Sequence, residues 1–265
     1  MKLLGQLRKM NAEAQNPVTY FLNLDKNSYP LNPHIGKPMG LKWTGTITCI
    51  ECGRKTRKSY DQGYCFVCSR DLPENAICSF RPELCVHEKG NEADREFWRT
   101  HCNIDHFVYL SLTSGVKVGI TRHTNIPDRW IDQGAIRGLI IARVPQRILS
   151  GQIEVALAKH FADKTNWRKM LKGGVEEVDL LALRDKAHKL FPEALKRSAV
   201  EDGKVQELVY PVESVPEKIT SHNLDKIPEF TDRLTGIKGQ YLIFATRVIN
   251  LRKYSGYHVE FDYQA

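Results

Sequence analysis

Phe107-Val-Tyr-Leu-Ser-Leu112, Thr113-Ser-Gly115 and Val116-Lys-Val-Gly-Ile-Thr121 follow one another without a break. Two runs of β-formers around a turn signal predict an antiparallel hairpin. Downstream, Thr124-Asn125 can cap a helix that accepts Pro127 in its first turn and carries Asp128, Arg129, Trp130 and Gln133, ending at Gly134. This is the punctuation of a short helix. Gly138-Leu-Ile-Ile-Ala-Arg-Val144 predicts a third strand from its β-branched run. Ser150 is then read as the cap of a longer helix reaching about Ala162. On it Glu154, Leu157, Ala158 and Phe161 share one face at helical spacing, so a carboxylate lies in the stripe expected to pack on the sheet. A buried carboxylate is costly unless a cation or donor meets it. The fold class expected is α+β, with a small antiparallel three-stranded sheet flanked by helices over residues 106–172.

Outward from this core, residues 17–48 and the stretches Ile237–Phe244, Val248–Leu251 and Gly256–Phe261 have strand and turn composition. The two chain ends are expected to form a β-rich part, pairing into one small barrel. Val178–Arg197 reads as a helix carrying Leu180, Leu181, Leu183, Leu190 and Leu195. Four segments result: an N-terminal β segment (1–48), a metal-binding region (49–105), the core (106–172) and a C-terminal α+β region (173–265).

The seven cysteines are an odd number, which argues against complete disulfide pairing. Cys49-Ile-Glu-Cys52 and Cys65-Phe-Val-Cys68 are two knuckles. Two residues between thiolates let one tight turn aim both sulfurs at one ion, and two such turns complete a tetrahedron, so a structural zinc is expected. The segment between them carries Arg54, Lys55, Arg57 and Lys58, with Tyr60 as a stacking platform. It resembles a zinc ribbon, whose hairpin either contacts nucleic acid or serves as a soluble structural clip. Cys78, Cys85 and Cys102 leave room for a second zinc site, with a fourth ligand to be chosen among His87, His101 and His106. His101 is taken, although its neighbour Cys102 shares the ion only if the backbone is irregular there. The competing reading has these cysteines as small buried hydrophobes. A nucleophilic role for Cys85 is disfavoured, because its turn offers no obvious activating base except His87, two residues away.

With 42% hydrophobic and 26% charged residues the chain suits a globular protein with a sizeable core. It has no apolar run long enough to span a membrane, and Met1–Lys9 has none long enough for a secretory signal. A cytoplasmic location is expected. The net charge of +8 is uneven: residues 117–172 carry 11 basic and 4 acidic side chains, whereas residues 173–265 carry 13 and 15. A basic centre attracts phosphate backbones, which makes DNA or RNA the expected partner.

The core segment resembles the GIY-YIG nuclease family. The matching positions are Tyr109 for the first tyrosine, Lys117-Val-Gly119 for the second tripeptide, Arg129, Glu154 and Asn166, over about 65 residues. The spacing from Glu154 to Asn166 is similar to that of the excision-repair incision subunits. Family members usually supply a tyrosine where this chain has Lys117, though some divergent branches also use lysine; Phe107 and Val108 replace the first glycine and isoleucine. Ribbon and core together resemble a prokaryotic family of unknown function.

The resemblance implies a metal-dependent endonuclease. Glu154 would hold Mg²⁺ or Mn²⁺, Tyr109 assisted by Lys117 would position or activate water, Arg129 would clamp phosphate charge and Asn166 would orient substrate or helix. Arg122 competes with Arg129 for the arginine role, and Arg129 is preferred because its helix would lie over the sheet. Arg122 and Arg168 join Arg54, Lys55, Arg57 and Lys58 as expected nucleic-acid contacts. The alternative is a non-catalytic zinc protein that uses a degenerate nuclease fold to bind nucleic acid or a protein partner.

Overall fold

The computed structural model describes residues 2–161 and 165–263. It is mixed α+β, with several small antiparallel sheets and short helices. The chain divides into two compact units: residues up to Asp71 join those from Val209 on, and Leu72–Leu208 form the other.

The first unit is built on a six-stranded antiparallel sheet. Its spatial order is Lys2–Gln6, Tyr257–Tyr263, Pro38–Ile47, Glu229–Lys238, Tyr241–Phe244, Val248–Asn250. Period-two alternation makes its core: Tyr257, Val259, Phe261 and Tyr263 are buried, while Glu260 and Asp262 are more open. Phe261 stands opposite Leu3 on one neighbour and Leu41 on the other. Burying a side chain of that size stabilises by about 1.5–3 kcal/mol. The chain ends therefore do pair, but the barrel is corrected. Lys2–Gln6 and Val248–Asn250 are the two edges of an open sheet and are not paired with each other among the described residues. Val248–Asn250 has only 3 residues, too few to continue the strand ladder around a closed cylinder. A separate three-stranded sheet comprises Asn11–Glu13, Thr19–Leu24 and Asn27–Pro30.

In the second unit the predicted hairpin consists of His106–Leu112 and Val116–Arg122, and the third strand is Arg137–Val144. A two-residue strand, Gln206–Glu207, adds to the edge, giving the order Val116–Arg122, His106–Leu112, Arg137–Val144, Gln206–Glu207. The poor alternation of the central strand has a physical reason: it is covered on both faces. Val108, Leu110, Val118, Leu139 and Ile141 pack with Ile153 and Leu157 of helix Arg147–Leu157 and with Leu180 and Ala187 of helix Leu180–Lys189. The opposite face receives helix Asp128–Asp132, whose Trp130 meets Tyr109 edge-on at 5.9 Å.

Three local expectations change. Helix Arg147–Leu157 starts before Ser150, which lies inside it and donates from Oγ to the Arg147 carbonyl at 2.6 Å. The helix also ends at Leu157, with Ala158 as its C-cap, short of the end expected near Ala162, which itself lies outside the described residues. Ile153 and Leu157, rather than Glu154 and the exposed Ala158, carry the helix's buried stripe. The helix expected over 178–197 is split: Asp179 caps Leu180–Lys189 by accepting from Leu181 and Ala182, and Glu193–Ser198 is a separate 3-10 turn. Pro192 lacks an N–H and disfavours a helical residue before it, which explains the break.

Candidate functional site

Tyr109 pairs with Gly119, and Ser111 with Lys117. Directly opposed residues share a face of the sheet, so all four look toward helix Asp128–Asp132. The Tyr109 ring lies over Gly119 so closely that a Cβ there would sit 2.6 Å from Oη and 2.7 Å from Cζ. The same device recurs at Gly138, where a Cβ would come within 2.4 Å of the Trp130 ring. Two glycines thus make room for two aromatic rings.

Tyr109 is fully buried, and its hydroxyl donates to Gln133 Oε1 at 3.2 Å, with the Arg129 guanidinium close enough to act on it. Burial pushes the phenol above its ordinary range, against the pull of Arg129 and Gln133. Burial also works against the charge of Arg129, yet Tyr109, Asp132 and Glu154 together hold the guanidinium above the usual arginine range. Arg129 Nε is buried with no hydrogen-bond partner among the described residues. Glu154 is half-buried, and its charge reaches both Tyr109 and Arg129. Lys117 is 7% exposed. Tyr109, Arg129 and Glu154 are therefore brought together, with Lys117 on the face that Tyr109 occupies. Gln133 is the member that the sequence reading named without a role; its position four residues after Arg129, on the same helical face, was the available signal.

Asn166 is placed differently. It is exposed and caps helix Trp167–Lys172, accepting from the Lys169 N–H at 3.1 Å and donating its own N–H to Ser114 Oγ at 2.9 Å. Arg168 is exposed with its guanidinium 4.2 Å from the Trp167 ring centroid. Arg122 is half-buried and feels Arg147 and Cys102.

In the first unit, Cys49, Cys52, Cys65 and Cys68 bring their sulfurs within 4.8 Å of one another, and Cys52 Sγ lies 3.8 Å from Cys65 Sγ. A tetrahedron with Zn–S bonds of about 2.3 Å has edges of about 3.8 Å, so the donor set is compatible with structural zinc. Gly53, at φ +70°, turns the chain after the first knuckle and donates to the Cys49 carbonyl at 3.1 Å. The Cys68 N–H points at Cys65 Sγ from 3.5 Å. Burial opposes ionisation of Cys49, but the N–H groups of Cys52, Cys65 and Glu51 outweigh it and lower its pKa to about 7. The Cys68 N–H likewise lowers Cys65, whereas burial and its sulfur neighbours raise Cys68. Arg54, Lys55, Arg57 and Lys58 are exposed between the knuckles. Tyr60 is half-buried, with Lys58 Nζ 5.2 Å from its ring centroid and Phe66 edge-on at 5.7 Å.

In the second unit, Cys78, Cys85 and His87 offer ligand atoms within 4.8 Å of one another, and Cys102 Sγ is 3.9 Å from His87 Nδ1. His101 stacks on Phe97 instead, with centroids 4.4 Å apart, and its Nδ1 lies 2.8 Å from Thr100 Oγ1. Neighbouring side chains on a helical turn diverge by about 100°, so Cys102 faces inward and His101 does not. Cys85 and His87 lie between and at the start of two 3-10 turns, Pro82–Leu84 and His87–Lys89.

Among the described residues, no helix is long and apolar enough to cross a membrane. No curated protein and no solved structure matches the chain. The sequence model of DUF2797, described as a protein of unknown function, matches residues 36–259, and the chain belongs to that family.

Proposed function

We propose that the second unit is a phosphodiester-cleaving domain of GIY-YIG type acting on DNA or RNA. The observation that carries this reading is the convergence of Tyr109, Arg129 and Glu154 around a hairpin whose Gly119 admits the tyrosine ring. Glu154 is the residue that would hold Mg²⁺ or Mn²⁺; one carboxylate with substrate phosphate is an ordinary ligand set for such ions. The bound ion would supply Lewis acidity toward the phosphate. Arg129, held charged and with Nε still lacking a partner among the described residues, is the group for the developing phosphoryl charge. Tyr109, fully enclosed, acts as a positioning residue that fixes Arg129 together with Gln133. Lys117 adds a second cation on that face. The Cys49, Cys52, Cys65, Cys68 set holds a structural zinc, and its basic hairpin engages phosphate backbones.

A second reading is favoured by the complete burial of Tyr109: a non-catalytic module that binds nucleic acid or a protein partner through a degenerate nuclease fold. One assay separates them. The purified chain, with Mg²⁺ or Mn²⁺, is offered plasmid, single-stranded DNA and structured RNA beside Glu154→Ala. Cutting that falls at least about 100-fold in the variant, with binding intact, is the expected result. Undiminished cutting by Glu154→Ala overturns the assignment, and salt-dependent binding without cutting supports the second reading. Binding with a flat salt slope, or none, defeats both.

A further inference from the structure

We propose that Cys78, Cys85, His87 and Cys102 form a second zinc site of Cys₃His type, ligated through His87 Nδ1. The distances suit it. Nδ1 lies 3.7 Å from Cys78 Sγ, 4.0 Å from Cys85 Sγ and 3.9 Å from Cys102 Sγ. Zn–S bonds of about 2.3 Å and a Zn–N bond of about 2.1 Å call for N···S edges of about 3.6 Å.

The far side of the ring is provided for as well. His87 Nε2 faces Asp94 Oδ1 at 3.7 Å. That carboxylate is fixed by a capping box: its Oδ2 accepts from the Asn91 N–H at 3.1 Å, and its own N–H donates to Asn91 Oδ1 at 2.9 Å. A carboxylate behind a ligating histidine fixes the tautomer that leaves the other nitrogen free for metal.

The construction of this stretch is an independent argument. Ile77, Phe80, Leu84 and Val86 are exposed, whereas Cys78, His87 and Cys102 are buried. The segment folds around the would-be ligands and leaves these four apolar side chains outside, an arrangement expected where metal rather than an oily core supplies the folding energy. Its secondary structure is short 3-10 turns, one six-residue helix and a single wide turn, Trp98–Cys102. A Cys₃His zinc keeps one net negative charge, and the charges of Arg147 and Arg122 act on Cys102. With Cys102 joined to the set through its 3.9 Å approach to His87 Nδ1, the seven cysteines divide as four ligands in one unit and three in the other.

The site also ties the turn Pro82–Leu84 to helix Arg147–Leu157. A Cβ on Gly151 would come within 2.6 Å of the Glu83 backbone nitrogen, so turn and helix touch main chain to helix. Glu154 lies three residues further along that helix. Only this last consequence, a metal buttress for Glu154, rests on the nuclease reading.

The test is a metal count on the purified full chain, which does not depend on cutting. The wild type is expected to carry two zinc ions, His87→Gln one and His101→Gln two. Because His87→Gln risks misfolding, zinc-edge X-ray absorption on the two-zinc wild type supplies a second readout, with one nitrogen expected per seven sulfurs. One zinc per wild-type chain, an all-sulfur first shell, or zinc lost from His101→Gln but kept by His87→Gln would each overturn the proposal.

Discussion

Residues 49–68 bring four sulfurs together from two local turns, each with its ligands three positions apart, whereas Cys78, Cys85, His87 and Cys102 are gathered from separate 3-10 turns and a helix end. In the first case each pair of ligands is preset by short-range backbone geometry. In the second, the ligands meet only when the whole stretch has adopted its path. The contrast teaches that a ligand set can be assembled locally in one unit and cooperatively in the other; if both hold zinc, the cooperative set should respond more widely to loss of metal.

Chelation gives the largest expected effect. Stripping zinc should cost the 72–105 stretch its amide protection, by the equivalent of more than about 4 kcal/mol, because structural zinc in small domains contributes roughly 10 kcal/mol. Protection of Tyr257–Tyr263, central in its sheet, should persist. Hydrogen exchange read by mass spectrometry checks both, and equal loss in the two places would erase the contrast.

Glycines sharpen it further. Gly151→Ala places a methyl 2.6 Å from Glu83 N and 2.9 Å from Pro82 C, atoms of a backbone that must move. A destabilisation of about 1–3 kcal/mol is expected from such overpacking, measured by urea unfolding, with faster zinc loss from the second site. Gly53→Ala meets open space, and only its φ of +70° is disfavoured. Its cost should be about 1–2 kcal/mol, felt at the Cys49 site alone, and Gly53→Asn should recover part of it in a chelator-competition titration. If Gly53→Ala proved the more damaging of the two, the local character assigned to the first site would be wrong.

The smallest effect concerns the basic hairpin. Lys58→Ala removes an exposed ammonium from beside Tyr60 and should change stability by less than about 1 kcal/mol. If the hairpin touches phosphate, the same variant lowers the salt slope of nucleic-acid binding by about 1. An unchanged slope leaves the hairpin as a clip.

The parts of this molecule that can be read from sequence are those where short-range chemistry decides. The hairpin around Thr113-Ser-Gly115, the helix after Pro127 and the paired knuckles each carry their own punctuation. The structure has the hairpin, helix Asp128–Asp132, a turn at the first knuckle and helix Phe66–Asp71 at the second, although Thr124-Asn125 fall in a separate 3-10 turn and do not cap the helix. Tyr109 and Gly119 meet because the turn sets their register. What stayed illegible depends on distant chain or on aperiodic turns. Gln206–Glu207 joins the edge of the second sheet from far downstream and is only 2 residues long. His87 is one of three histidines open to the second cysteine set, and the 3-10 turns around it leave no hydrophobic period to single it out. Ser150 has the residue type of a cap, but the helix had already begun at Arg147.

Tyr257–Tyr263 lies between Lys2–Gln6 and Pro38–Ile47, pairing Phe261 with both Leu3 and Leu41. During synthesis, the two outer strands therefore emerge long before the one that separates them. The whole of Leu72–Leu208 is translated and free to collapse while they wait with open edges. Such long-range pairing is slow to form, and a waiting edge is open to wrong partners. The Lys42 side chain, 49% exposed on the waiting Pro38–Ile47 strand, is the kind of charge that discourages them. The order of translation thus makes Tyr257–Tyr263, a strand made after both its neighbours, the keystone of the first unit.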